Sequence, residues 1–197
     1  GADLTGANLH GAILARADLS GANLTQANAN RADFRRAKLG AARLDGAMLY
    51  ARRLDGADLG AATLNGALAG KAQFAGANMS QTTMMRADLR NTRFNDANLR
   101  GANLSGSILH DAQLTRAHLD GAKFIQASMW RANLVGANLT QLDARGADLY
   151  GANLRDANLS GAEFSYSRLS TANLTDARVE GAKFLDAELP AGFTPPP

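Results

Sequence analysis

Three histidines, His10, His110 and His118, and eighteen acidic residues are the side chains of this 197-residue chain that could move protons or hold a metal. Proton transfer requires such groups to converge within hydrogen-bond reach, and metal binding requires them at ligand spacing. Neither pattern occurs: there is no HExxH, nucleophile elbow, Walker loop or dinucleotide fingerprint. Cysteine is absent, which removes disulfides, thiolate nucleophiles and zinc knuckles. The chemistry expected here is therefore recognition, with no catalytic residue, no cofactor and no metal.

The elements that must position any binding residue follow from a period. Segments such as Gly6-Ala7-Asn8-Leu9, Gly101-Ala102-Asn103-Leu104 and Gly151-Ala152-Asn153-Leu154 are spaced by multiples of five. Large apolar residues run from Leu4, Leu9 and Leu14 through Phe124 and Met129 to Phe184 and Leu189 without an insertion, and only Ala29, Ala69 and Ala144 are small there. Two residues earlier stands alanine, except at Arg52, Thr82, Thr92, Ser107, Leu142 and Ser167. Between the two, Asn or Asp is commonest.

Five matches neither the helical repeat of about 3.6 residues nor the strand repeat of 2. The chain must bend once per unit, with Ala and Leu facing one side and Asn or Asp the other. Glycine at unit boundaries suits corners that need a positive φ. Arg52 violates this scheme, because an inward guanidinium without partners is costly. Either the coil distorts to release it, or a carboxylate such as Asp33 or Asp55 meets it.

The pattern A-(D/N)-L-x-x, as in Ala17-Asp18-Leu19-Ser20-Gly21 and Ala157-Asn158-Leu159-Ser160-Gly161, resembles the pentapeptide-repeat family over residues 1 to about 190. The resemblance implies an all-β fold, a right-handed quadrilateral β-helix solenoid with four pentapeptides per coil and between nine and ten coils. At about 4.8 Å per coil the rod is roughly 45 Å long. Residues 1–190 form the expected domain and 191–197 a Pro-rich tail or cap, with Phe193 plugging the end. On this scheme Leu142 fills volume left by Ala144, and Lys38 stacks between Asp18 and Asp58.

Residues twenty apart then become neighbours. Stepping from Tyr50 gives Gly70, Arg90, His110, Trp130, Tyr150 and Ser170 along one edge. Met85, Ile108, Ile125, Arg131 and Arg145 lie nearby. Exposed aromatic and arginine residues together compose many protein-binding hot spots, so His110, Trp130, Tyr150, Arg90 and Arg131 are the candidate protein-binding residues; the alternative is that Trp130 merely covers a corner.

The formal charge of +3 is modest for a nucleic-acid binder. The charge is uneven, however: residues 31–53 carry seven cationic side chains against Asp33 and Asp45, and residues 156–188 carry six acidic against three basic. That basic stretch lacks interleaved aromatics, which disfavours nucleic acid. No run approaches the roughly 18 apolar residues of a membrane span, so a soluble chain, cytoplasmic by default, is expected. It opens on Gly1 already inside the repeat, and a missing segment, a neighbouring domain or end-to-end self-association is expected to cover the first coil. The function expected is a non-enzymatic scaffold presenting a rigid surface to an unidentified protein partner, with no small-molecule substrate. Some relatives imitate duplex DNA and modulate DNA gyrase. Those are typically acidic, some with loops or a dimerisation helix, none of which this basic, uninterrupted sequence matches.

Overall fold

Each five-residue unit ends in a hydrogen-bonded turn. Ala7 N donates to Leu4 O at 3.0 Å, with Gly6 in the left-handed region at φ 62°, and the same pair of features recurs along the chain. A positive φ confined to the third turn residue is the mark of a type II turn. That corner residue is glycine at some positions, but Arg, Gln, Ala, Asp and even the β-branched Thr171 adopt the same conformation elsewhere. The stacked coils therefore impose this conformation on residues that disfavour it.

The computed structural model describes residues 1–195. Parallel bridges join residues twenty apart, from Asp3 with Asn23 to Arg168 with Glu188. Four turns occur within each such interval, so the chain is a parallel solenoid with four sides, and no helix occurs among the described residues. Between coils, Leu24 N donates to Arg43 O and Asn23 N to Ala2 O. The remaining amide, at the first corner position, is satisfied locally: Ser20 N donates to Asp18 Oδ1 and Tyr150 N to Asp148 Oδ1. This side-chain capture is the physical reason for Asn and Asp in the unit.

The Ala and Leu positions line one continuous core, with Phe34, Phe74, Phe94, Phe124 and Phe164 fully buried. Phe74 stacks on Phe94 at 5.1 Å, and Phe193 meets Phe184 edge-on at 5.6 Å. Leu142 and Ala144 are both buried, as the exchange of sizes requires. The buried Thr82, Thr92, Ser107 and Ser167 hydroxyls donate to the carbonyls of Met79, Leu89, Leu104 and Phe164, three residues back. Core residues at both ends, among them Leu4, Leu9, Phe184 and Leu189, are only partly covered. Pro196 and Pro197, part of the expected cap, lie outside the described residues.

Arg52 resolves its conflict by distortion. It is half-buried, and its Nε donates to the carbonyl of Tyr50. Asp33 is engaged by Arg35 instead. By register, Tyr50 O should accept from Arg31 N and Ala32 O from Arg53 N, as Asp55 O accepts from Arg36 N and Ala37 O from Asp58 N; both bonds are missing. Burial, with the nearby charge of Arg31, lowers the pKa of the Arg52 guanidinium.

Candidate functional site

One side of the solenoid differs from the other three. Its flat middle carries the bridge residues Met48, Leu68, Asp88, Ile108, Ser128, Asp148 and Arg168. One bounding corner carries Met85, Ile125, Tyr166 and Leu185, and the other Tyr50, Arg90, His110, Trp130 and Tyr150. The large hydrophobic side chains exposed to solvent are Ile13, Tyr50, Leu68, Met85, Ile108, Trp130, Tyr150, Tyr166 and Leu185. All but Ile13 belong to this side and its two corners. The other flat sides carry chiefly Asn, Asp, Arg, Lys, Gln and Thr at their bridge positions.

The aromatic edge is a ladder. The His110 and Trp130 rings are stacked, with centroids 5.2 Å apart and planes 12° from parallel. Tyr150 follows at 6.4 Å, tilted by 59°, and the guanidinium of Arg168 lies 4.9 Å from the centre of the Tyr150 ring. Polar contacts to the flat side hold the ladder upright. His110 Nε2 and Ser128 Oγ are hydrogen-bonded at 2.7 Å, Trp130 Nε1 donates to Asp148, and Arg168 joins Asp148 at 3.2 Å and Glu188 at 3.4 Å. Trp130 and Tyr150 nevertheless keep 40% of their surface in solvent.

With ring faces turned to one another, the edges and the apolar flat side are what a partner meets. Stacking of nucleobases needs free ring faces, which the His110–Trp130 pair does not offer on its inner side. On the opposite corner, small Ser105 and Gly106 lie between Met85 and Ile125, leaving a groove of about 520 Å³ also lined by Arg86 and Gln126.

The two remaining candidate residues are placed differently. Arg90 grips Asp88 on the flat side through Nε at 2.9 Å and Nη2 at 2.6 Å, and Arg131, one corner position over, holds Asp111 at 2.8 and 2.7 Å. These hydrogen bonds hold the Asp88 and Asp111 carboxyls below the usual carboxylate range. Sequence reasoning did not include Leu68, Tyr166, Leu185, Asp148 or Arg168 in the site. Stepping by twenty from Ile108 reaches Leu68 in one direction and Ser128, Asp148 and Arg168 in the other, and the same step from Met85 through Ile125 reaches Leu185.

Among the described residues no group of three or more His, Asp or Glu could hold a metal, and no helix is long and apolar enough to cross a membrane. Lys38 pairs with Asp18 at 3.6 Å.

A family model described as pentapeptide repeats, in eight copies, matches residues 2–40, 53–91, 84–121, 117–156 and 152–189. HetL, a pentapeptide repeat protein involved in heterocyst differentiation regulation in the cyanobacterium Nostoc sp. strain PCC 7120, is 31% identical. The alignment covers 95% of this chain and 86% of that one, with a TM-score of 0.46. A trypsin-treated form of QnrB1, a plasmid-mediated fluoroquinolone resistance protein, is 18% identical over 93% of this chain and 91% of that one, with a TM-score of 0.65. That second likeness is one of fold. No curated protein matches.

Proposed function

This chain belongs to the pentapeptide-repeat family, and from that premise we propose that it is a non-enzymatic rod that binds another protein through its single apolar side. In this reading residues 1–190 form one right-handed square solenoid of between nine and ten coils, the described part of the tail, residues 191–195, closes its end, and the rod can also meet a second rod end to end. The observation that carries the reading is the segregation of exposed apolar residues. Among the described residues, eight of the nine exposed large hydrophobics lie on one side and its corners, whereas scattered exposure would need no explanation. His110, Trp130, Tyr150 and Arg168 form its ordered edge, with Arg90 and Arg131 as rim residues neutralised by their aspartates.

The lateral backbone groups are largely spent on neighbouring coils, so a partner cannot add a strand along the rod's flank. Side-chain contacts must supply the affinity. Trp130 and the groove between Met85 and Ile125 are the natural anchors.

Modulation of DNA gyrase by DNA mimicry is the second reading. It has the fold-level likeness to QnrB1 behind it. Charge opposes it: a duplex carries dense negative charge, and this chain has a formal net charge of +3.

Affinity capture with the wild-type rod and with the Trp130→Ala and Tyr150→Ala variants, alongside a gyrase supercoiling assay, tests both. A partner retained by wild type and released by the variants is expected. Partners held equally by all three proteins would remove the apolar side from the reading, and inhibition or protection of gyrase by the wild-type rod would replace it with the second.

A further inference from the structure

A second feature lies on a different part of the rod, at the corner formed by columns 15, 35, 55 and 16, 36, 56. Small Ala15 leaves a dent there of about 540 Å³, lined by Arg16, Arg35, Arg36, Arg53 and Asp55. Elsewhere Arg90, Arg100, Arg116, Arg131, Arg145, Arg155 and Arg168 form ion pairs, and among the described residues the arginines without one do not gather round a single dent. At this corner only Arg35 forms an ion pair, through Asp33 at 2.5 Å. Arg16, Arg36 and Arg53 surround the dent without an ion-pair partner among the described residues. Four arginines against Asp33 and Asp55 leave two positive charges uncompensated, and Arg31 and Arg52 raise the local potential from the next corner.

Arg36 is also held in place. The Arg36 stem rests over Gly56, with Cγ 3.5 Å from where a Cβ would stand, and Arg36 N is bonded to Asp55 O at 3.1 Å. Guanidinium groups present planar forks that match the oxygens of phosphate. The dent falls within the roughly 300–1,000 Å³ of small-ligand sites. No aromatic side chain lines it, so recognition would rest on the anion and not on an attached ring.

We propose that this corner binds a pyrophosphate-type oxyanion through Arg16, Arg36 and Arg53. The group could be free or carried on a lipid headgroup, and the site is independent of the apolar side.

Calorimetric titration of the full chain with inorganic pyrophosphate tests it, using Arg16→Gln, Arg53→Gln and, as control, Arg116→Gln. Arg116 stands on the same corner column but is paired with Asp96. The expected result is saturable one-to-one binding, weakened at least about tenfold by either of the first two variants and unchanged by the third. Absence of saturable binding, or an equal loss in Arg116→Gln, would overturn the site. A second arm uses vesicles containing anionic phospholipid. Vesicle binding displaced by pyrophosphate supports the same site with a headgroup as its source, whereas vesicle or duplex-DNA binding that pyrophosphate does not displace would reduce the corner to diffuse surface charge. Circular dichroism of each variant separates loss of fold from loss of the anion.

Discussion

The ring of Trp130 stacks on His110 from the preceding coil, 5.2 Å between centroids, while its Nε1 donates to Asp148 on the adjoining flat side. An exposed indole held by both a stack and a hydrogen bond is ordered before any partner arrives. Less side-chain entropy then remains to be lost on binding.

Trp130 is the only tryptophan, so fluorescence excited selectively at tryptophan reports this edge alone. His110→Ala and Asp148→Asn are each expected to change its emission maximum and raise its mobility in anisotropy decay. Global stability should fall by no more than about 1 kcal/mol, the scale of one aromatic pair. Unchanged emission and anisotropy in both variants would mean that the ladder is absent in solution.

Replacing Arg52 by alanine is expected to stabilise the protein. The substitution restores the residue found at most equivalent positions and frees Tyr50 O for Arg31 N, while Arg53 N can regain Ala32 O. Two recovered hydrogen bonds at about 1 kcal/mol each give a gain of roughly 1–2 kcal/mol. Denaturant unfolding measures the total, and amide exchange at Arg31 and Arg53 should slow in the variant.

Corner conformation gives a pair of opposed predictions. Thr171 is β-branched and sits at φ 63°, whereas Gly121 occupies the same turn position at φ 67° with open space around its missing Cβ. Thr171→Gly should stabilise and Gly121→Ala destabilise, each by about 1 kcal/mol. Thermal melts of the two variants should therefore move in opposite directions.

Acid should weaken the rod through its ion pairs. The hydrogen bonds from Arg35 hold the Asp33 carboxyl at about 2, down from 3.8, and Asp88 and Asp143 are lowered by Arg90 and Arg145. A carboxylate depressed in the folded state contributes stability above its unfolded pKa and loses it as pH falls through the folded one. For Asp33 that window runs from about pH 4 down to about pH 2. The Asp33→Asn variant should show a shallower decline in stability across it, measured by denaturant unfolding at several pH values.

The five-residue spacing of Leu, Ala and Asn already separated inside from outside, because a chain bending once per unit has no other way to bury one residue type continuously. The family resemblance then put His110, Trp130 and Tyr150 in line. Neither Arg52's hold on the Tyr50 carbonyl nor the turning of Arg90 toward Asp88, while Arg168 covers Tyr150, could be read the same way. Those outcomes depend on competition among donors, acceptors and ring faces in adjacent coils, and on which rotamers the neighbours leave open.

Periodicity by itself therefore determined that the chain coils and which residues form its core, since burial follows from a repeating local geometry. Only the tertiary structure decided which outward residues stay exposed and which neutralise one another, since exposure depends on the size and charge of neighbours twenty residues away in both directions.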